Sequence, residues 1–426
     1  MQDRSPAAGR PRLSGDARLL IAGQGVRAVG YGFTAVLLGA LLAARGFSPL
    51  QAGLVLTALI AGTALASLMA GWFADRTGRR RCYGLFFAGI GIAGLVVASG
   101  APLWVLLAVA LTGTLSTDVV DNGPATTLEQ SMLATEDAGT SAVYGRYNMV
   151  GAVAGALGSL AVTLPGLDHG PGAARSDWLF AALVPVGLTG VLIALRLSPA
   201  VEAAPETAIA SAPPRRARRR LDRSGPVVRR MAGLFAVDAA GGGLVTTGFL
   251  SYYFSERYHV PVAALGWLFF AVSAVQAISV ALAPRLARRF GLIATMVGTH
   301  LPSNLLLAAV AFAPGFALAA ALLLARTTLS QMDVPTRQAL VMAVVEPQER
   351  TAAAGLTNAA RYTVRPLGPL VASVLQQVAL GAPLVVAGTI KAGYDLALWA
   401  WARHLPLTLR QPVRAAGLTE QNGATR

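Results

Sequence analysis

The feature that most constrains this chain is a succession of apolar segments of bilayer-spanning length. A helix crossing the hydrocarbon takes about 20 mainly apolar residues. Such stretches recur near residues 19–43, 50–73, 83–100, 102–126, 143–165 and 178–197, and again near 231–254, 262–283, 292–313, 315–343, 352–378 and 382–402. They make twelve expected spans in two groups of six, separated by a polar gap. Short connectors such as 45–49 and 255–261 make neighbouring spans antiparallel. Transmembrane strands would alternate over about ten residues, and Ala61–Met69 and Leu318–Leu324 do not. The expected fold class is therefore all-α integral membrane. Only 13% of residues are charged, against about 25% in soluble globular chains, which excludes a set of soluble domains. The single cysteine, Cys82, rules out an internal disulfide.

A formal charge of +15 would suggest nucleic acid if the basic residues formed a patch. Their placement says otherwise. Arg4, Arg10, Arg12 and Arg18 precede span 1, and Arg76, Arg79, Arg80 and Arg81 follow span 2. Eight arginines from Arg215 to Arg230 crowd the central gap, Arg285, Arg288 and Arg289 follow span 8, and Arg403, Arg410 and Arg414 follow span 12. Only Arg45, Arg175 and Arg257 fall on the other side. By the positive-inside rule both termini and the central loop are cytoplasmic, and the charge is a topology signal with no nucleic-acid partner implied. Span 1 is too long for the apolar core of a cleaved signal and reads as an uncleaved first helix. The expected organisation is a six-helix half over 1–197, a basic cytoplasmic linker over 198–230, a second half over 231–402 and a cytoplasmic tail over 403–426.

The halves repeat. Gly71-Trp72-Phe73-Ala74-Asp75-Arg76-Thr77-Gly78-Arg79-Arg80 ends span 2, and Pro284-Arg285-Leu286-Ala287-Arg288-Arg289-Phe290-Gly291 ends span 8 at a shift of 213 residues. Gly53 matches Gly266 at the same shift, and Ala142, Gly145 and Asn148 match Ala352, Gly355 and Asn358 at a shift of 210. Parallel repeats about an axis along the membrane normal recur in secondary transporters. The stretch from Gly71 to Arg81 resembles the loop signature of the major facilitator superfamily, with Phe73 in place of its usual Leu. The resemblance covers about residues 18–402 and implies two pseudo-symmetric six-helix halves working by alternating access, with helices 1, 4, 7 and 10 lining the cavity. It also implies a cytoplasmic gate built from Gly71, Asp75, Arg76, Gly78 and Arg79. Asp75 would face the N-terminus of span 11, and Arg79 would pair with Glu129 at the cytoplasmic end of span 4.

Ionisable residues within spans are costly and are functional candidates by default. Here they are Arg27, Asp118, Asp121, Asp238, Arg326, Asp333, Arg337, Arg361, Arg365, Lys391 and Asp395. Asp118, Asp121, Asp238 and Asp333 are candidates for proton coupling, because a carboxylate in a low-dielectric cavity can take up a proton near neutral pH. Permanent neutralisation of an arginine is the competing role. Arg27, Arg337, Arg361 and Arg365 are candidates for the substrate cavity, Arg361 and Arg365 as an i,i+4 pair that repels unless an anion intervenes. Lys391 and Asp395, also i,i+4, read as a self-neutralising strut. The four histidines are scattered without metal spacing, and the glycines of span 5 (Gly151, Gly155, Gly158) suit helix packing. Tyr252, Tyr253 and Phe254 fit an interfacial belt.

These readings converge on a secondary transporter of small molecules that is not an enzyme, with no cofactor and no metal. Proton-coupled efflux of small organic compounds is the first expectation. Organic anions or phosphorylated or carboxylated metabolites are the alternative cargo, and a non-transporting membrane sensor is a more distant one. The expected partners are the small-molecule substrate, a coupling proton and the lipid bilayer, in a bacterial-type inner (plasma) membrane; a monomer would suffice.

Overall fold

The computed structural model describes residues 13–117, 123–133, 140–164, 177–202, 224–346 and 349–402. Sixteen α-helices form among them. The first seven are α1 (Gly15–Ala44), α2 (Pro49–Thr77), α3 (Arg79–Ala98), α4 (Leu103–Leu111), α5 (Pro124–Leu133), α6 (Thr140–Ala161) and α7 (Leu183–Arg196). The rest are α8 (Gly225–Gly243), α9 (Thr247–Tyr258), α10 (Val262–Phe290), α11 (Leu292–Val310), α12 (Phe316–Ser330), α13 (Asp333–Val344), α14 (Arg350–Val364), α15 (Gly368–Val378) and α16 (Ala382–Ala402). They occupy the twelve expected segments because four are broken in two: α4/α5, α8/α9, α12/α13 and α14/α15. Among the described residues, seven stretches are long and apolar enough to cross a membrane by length and composition. The halves of spans 4, 10 and 11 are individually too short for that.

The chain divides into two compact units. One holds residues 1–214 with 250–255 and 261–270; the other holds 215–249, 256–260 and 271–426. Within the first, Ser14 caps α1 by accepting from the Ala17 N–H, and Asp16 accepts from both the backbone and the hydroxyl of Ser198. That contact pins the start of span 1 to the end of span 6. The glycine face of α6 packs on α1: a Cβ on Gly151 would meet the Gln24 side chain, and one on Gly158 would meet the Val29 carbonyl. Tyr252, Tyr253 and Phe254 correct their sequence reading. They are 2%, 0% and 0% exposed, and Tyr252 donates to the Phe47 carbonyl at 3.0 Å, so they are interior residues and form no interfacial belt. Within the second unit, Phe235, Met296, Leu340, Tyr394, Leu398 and Trp401 belong to one buried cluster.

The repeat seen in the sequence is visible in the backbone. Gly78 and Gly291, 213 residues apart, turn the chain between helices with φ of +94° and +89°. Gly78 N–H donates to Ala74 O at 3.0 Å and Gly291 N–H to Ala287 O at 2.9 Å, and in each copy the glycine carbonyl accepts at 3.1 Å from the residue four places on. A positive φ at this turn is why glycine occupies both positions.

In lipid, a break in a helix is tolerated only where protein or water re-satisfies its backbone. Span 11 breaks at a 3-10 turn, Arg365–Leu367, with prolines at 366 and 369. Span 7 breaks after Gly243. The two breaks meet. A Cβ on Gly243 would lie 2.6 Å from the Arg365 carbonyl oxygen, and one on Gly368 would run into the Gly243 backbone. Overpacking a tight contact costs about 1–3 kcal/mol. Gly368→Val should therefore lower the melting temperature in detergent, whereas Gly393→Val, which meets nothing within 4 Å, should leave it nearly unchanged.

Candidate functional site

Ionisable side chains collect in one buried network per unit, and the two networks differ in kind. In the first, Arg27 on α1 and Glu129 on α5 are 1% and 0% exposed. The Arg27 guanidinium lies 2.7 Å from a Glu129 oxygen and also reaches the Gln24 amide oxygen and, at 3.0 Å, the Thr126 hydroxyl. The other Glu129 oxygen accepts from Tyr83 at 2.9 Å, and Tyr147 donates to the first. Tyr31 lies under the guanidinium, with the ring centroid 5.4 Å away. One cation thus faces one carboxylate inside a shell of hydroxyls, a direct pairing of the two charges that leaves the Arg27 Nε without a hydrogen-bond partner.

This geometry corrects the expected pairing of Arg79 with Glu129. Glu129 points into the helix bundle, where Arg27 holds it. Arg79 instead reaches the carbonyls of Ser131 and Val201, each at 3.4 Å. The carboxylate at the gate loop is Glu202, which accepts from the backbone N–H of Arg79 at 2.6 Å and of Arg80 at 3.0 Å. A negative charge on the first N–H groups of α3 is favourable by both hydrogen bonding and the helix dipole. Arg76 is exposed on the last turn of α2. Gly71 and Asp75 lie in α2, but their surroundings and the side chain of Asp75 lie outside what the structure describes, as do Asp118 and Asp121 altogether.

The second network has more members. Asp238 on α8 is the hub: it accepts from Lys391 of α16 on one oxygen and from Arg337 of α13 at 3.2 Å on the other. Arg337 also meets Asp333 at 2.6 Å, on the first turn of its own helix, and stacks 5.6 Å from the Phe235 ring centroid. His300 of α11 places Nε2 3.8 Å from Asp238 and Nδ1 2.8 Å from Asp395 of α16. Asn304, one turn further along α11, donates to the other Asp395 oxygen at 2.8 Å. All six ionisable members are at most 6% exposed. The expected Lys391–Asp395 strut is therefore not what forms: Lys391 crosses to Asp238, and Asp395 crosses to His300 and Asn304.

Arg326 on α12 and Arg361 on α14 stand outside these pairings. Both are half-buried, both carry a buried Nε without a hydrogen-bond partner, and neither makes an ion pair or hydrogen bond among the described residues. Asp238 and Asp333 contact Lys391 and Arg337. Arg365 sits in the 3-10 turn between α14 and α15. His300 and Asn304 escaped the sequence reading. The signal available was an i,i+4 polar pair in an otherwise apolar span, the spacing that puts both on one helix face.

A nearly all-helical chain with internal repeats and charged networks buried within spans defines a membrane transporter fold. Residues 20–369 match the Major Facilitator Superfamily, and the chain belongs to that family. It is 26% identical over 394 residues to the uncharacterized membrane protein YJR124C of Saccharomyces cerevisiae, spanning 85% of this chain and 88% of that one. Among solved structures, the nucleoside transporter NupG superposes with a TM-score of 0.70 at 15% identity, covering 92% of this chain and 99% of its own. The inward-open xylose transporter XylE from E. coli gives 0.67 at 12% identity, over 90% and 96%. These likenesses establish the fold.

Removing one partner of a buried ion pair costs about 3–5 kcal/mol, while replacing both by apolar groups of similar size is often neutral. Glu129→Ala should therefore strongly lower thermal stability in detergent, and the double variant Arg27→Met/Glu129→Leu should recover most of the loss.

Proposed function

We propose that this family member is a secondary active transporter that moves a small organic anion across the membrane by alternating access, with a proton as coupling ion. The observation that carries the anion is the pair Arg326 and Arg361. An unpaired arginine within a span costs at least a few kcal/mol, so two of them call for a ligand that supplies the missing negative charge. A carboxylate or phosphate held by guanidinium forks has the matching geometry. This cargo, the alternative in the sequence reading, is preferred over neutral organic compounds for that reason. Asp238 and Asp333 are already ion-paired, which argues against either acting as an isolated proton carrier. The arginine fence supports cytoplasmic termini in a plasma-membrane setting.

The test is a thermal-shift panel on purified protein, using a monocarboxylate (lactate), a dicarboxylate (succinate), a sugar phosphate (glucose 6-phosphate), and xylose and uridine as neutral contrasts. Hits are then followed into proteoliposomes with a pH gradient of either sign. At least one anion should stabilise the protein and be transported. Arg361→Gln should weaken its binding by tenfold or more, or ~1.4 kcal/mol, and Arg361→Lys should restore only part because it lacks the planar fork. Transport of xylose or uridine that is unchanged in Arg326→Gln and Arg361→Gln would overturn the anion reading.

A further inference from the structure

The second network holds three carboxylates: Asp238 and Asp333 contact the side chains of Lys391 and Arg337, and Asp395 contacts His300. Asp238 and Asp333 share the two cations, which leaves Asp395 with only the Asn304 amide and the His300 imidazole. Burying a carboxylate without a cation in contact is expensive, and among direct contacts the network has one carboxylate more than it has Lys and Arg side chains. His300 is the member that can supply the further positive charge. A neutral imidazole has a single N–H and can serve one carboxylate; a protonated one has two. Its two ring nitrogens point at two different carboxylates, Nδ1 to Asp395 at 2.8 Å and Nε2 toward Asp238 at 3.8 Å.

We infer that His300 and Asp395 form the proton-binding site of this protein, and that the bound proton turns His300 into an imidazolium bridging Asp395 and Asp238. Arrival of the proton completes the neutralisation of the network and draws His300 toward the Asp238 hub, where α8, α11, α13 and α16 converge. Loss of the proton frees one of the two carboxylates. Of the charged and titratable groups around it, Asp238 from α8 and Asp395 and Tyr394 from α16 meet His300 directly; the elements packed against α11 also carry Lys391 on α16, Asp333 and Arg337 on α13, and Arg326 on α12, which stands outside the direct contacts. Tyr394 sets the ring edge-on, with centroids 6.0 Å apart.

The inference rests on the proposed function for its consequence. With His300 charged, Arg326 and Arg361 carry positive charge beside an already neutral network, so the protonated state demands an anion. Conversely, an anion on those arginines favours the proton. By linkage each ligand tightens the other by the same factor, which makes proton and anion travel together.

The proton site can be tested without any substrate. In the full-length protein carrying His169→Gln, His259→Gln and His404→Gln, His300 is the sole histidine and the network is untouched. Labelled with 15N-histidine and reconstituted in lipid, it should show the imidazole passing between neutral and doubly protonated forms from pH 8 to pH 5. Adding Asp395→Asn should move that transition by about one pH unit or more, tenfold in proton affinity. An imidazole that keeps one protonation state across the range, or a transition indifferent to Asp395→Asn, would overturn the inference. Should the Asp395 variant fail to fold, the first criterion alone decides. Because no anion is present, failure here leaves the anion reading standing, and failure of the anion panel leaves the proton site standing.

Discussion

A charge carried into hydrocarbon has to find its counter-charge within the protein, since no water is there to screen it. Most of what is distinctive in this molecule follows from how each unit meets that demand. The first meets it by direct pairing: Arg27 and Glu129 neutralise each other, and three hydroxyls and an amide hydrogen-bond the pair, with the Arg27 Nε left without a partner. The second meets it with linked carboxylates and cations shared among four helices, and leaves two guanidiniums over. Residues 27 and 238 fall at corresponding places in the repeat, 211 apart, yet carry opposite charges. The duplicated scaffold thus repeats its glycine turn in backbone while its two networks differ in chemistry.

Backbone satisfaction is the companion constraint. An unbroken helix such as α1 closes the hydrogen bonds of its interior within itself, and the large apolar side chains left exposed, among them Leu68, Trp104 and Phe312, suit a lipid surround. The broken spans are where chemistry gathers. Asp333 opens α13 at a helix N-terminus, where a carboxylate is stabilised by the dipole, and Arg365 lies in the turn between α14 and α15. Breaking a helix exposes peptide groups and creates ends, and both serve a charge better than the apolar side of a continuous helix does.

The fold was largely legible in the sequence because span length, arginine placement and internal repetition each report on it independently. The identical turns at Gly78 and Gly291 were readable as a repeated motif before any coordinates. The ionisable positions could be listed from the sequence, but their partners could not. Helical spacing placed Lys391 next to Asp395, a local contact, whereas both reach across to other spans once α8 and α11 pack beside α16. The expected Arg79–Glu129 pairing fails because α5 packs on α1 there and turns Glu129 inward to Arg27. Tyr252–Phe254 were read from their position near a span end, which says nothing of whether neighbouring chain covers them. For His300 the sequence offers only its i,i+4 spacing to Asn304; its significance lies in two carboxylates 62 and 95 residues away.

The order in which these partners are synthesised differs between the networks. Every residue that holds Arg27 is present once the chain has grown to Tyr147, so the first pair can close early in insertion. Asp238 waits for Lys391, 153 residues later. At about 5–20 residues per second, that is roughly 8–30 s with a buried carboxylate lacking one of its cations. The Asp238 network is therefore the one completed later in synthesis, and its hub carboxylate is made well before the lysine that contacts it.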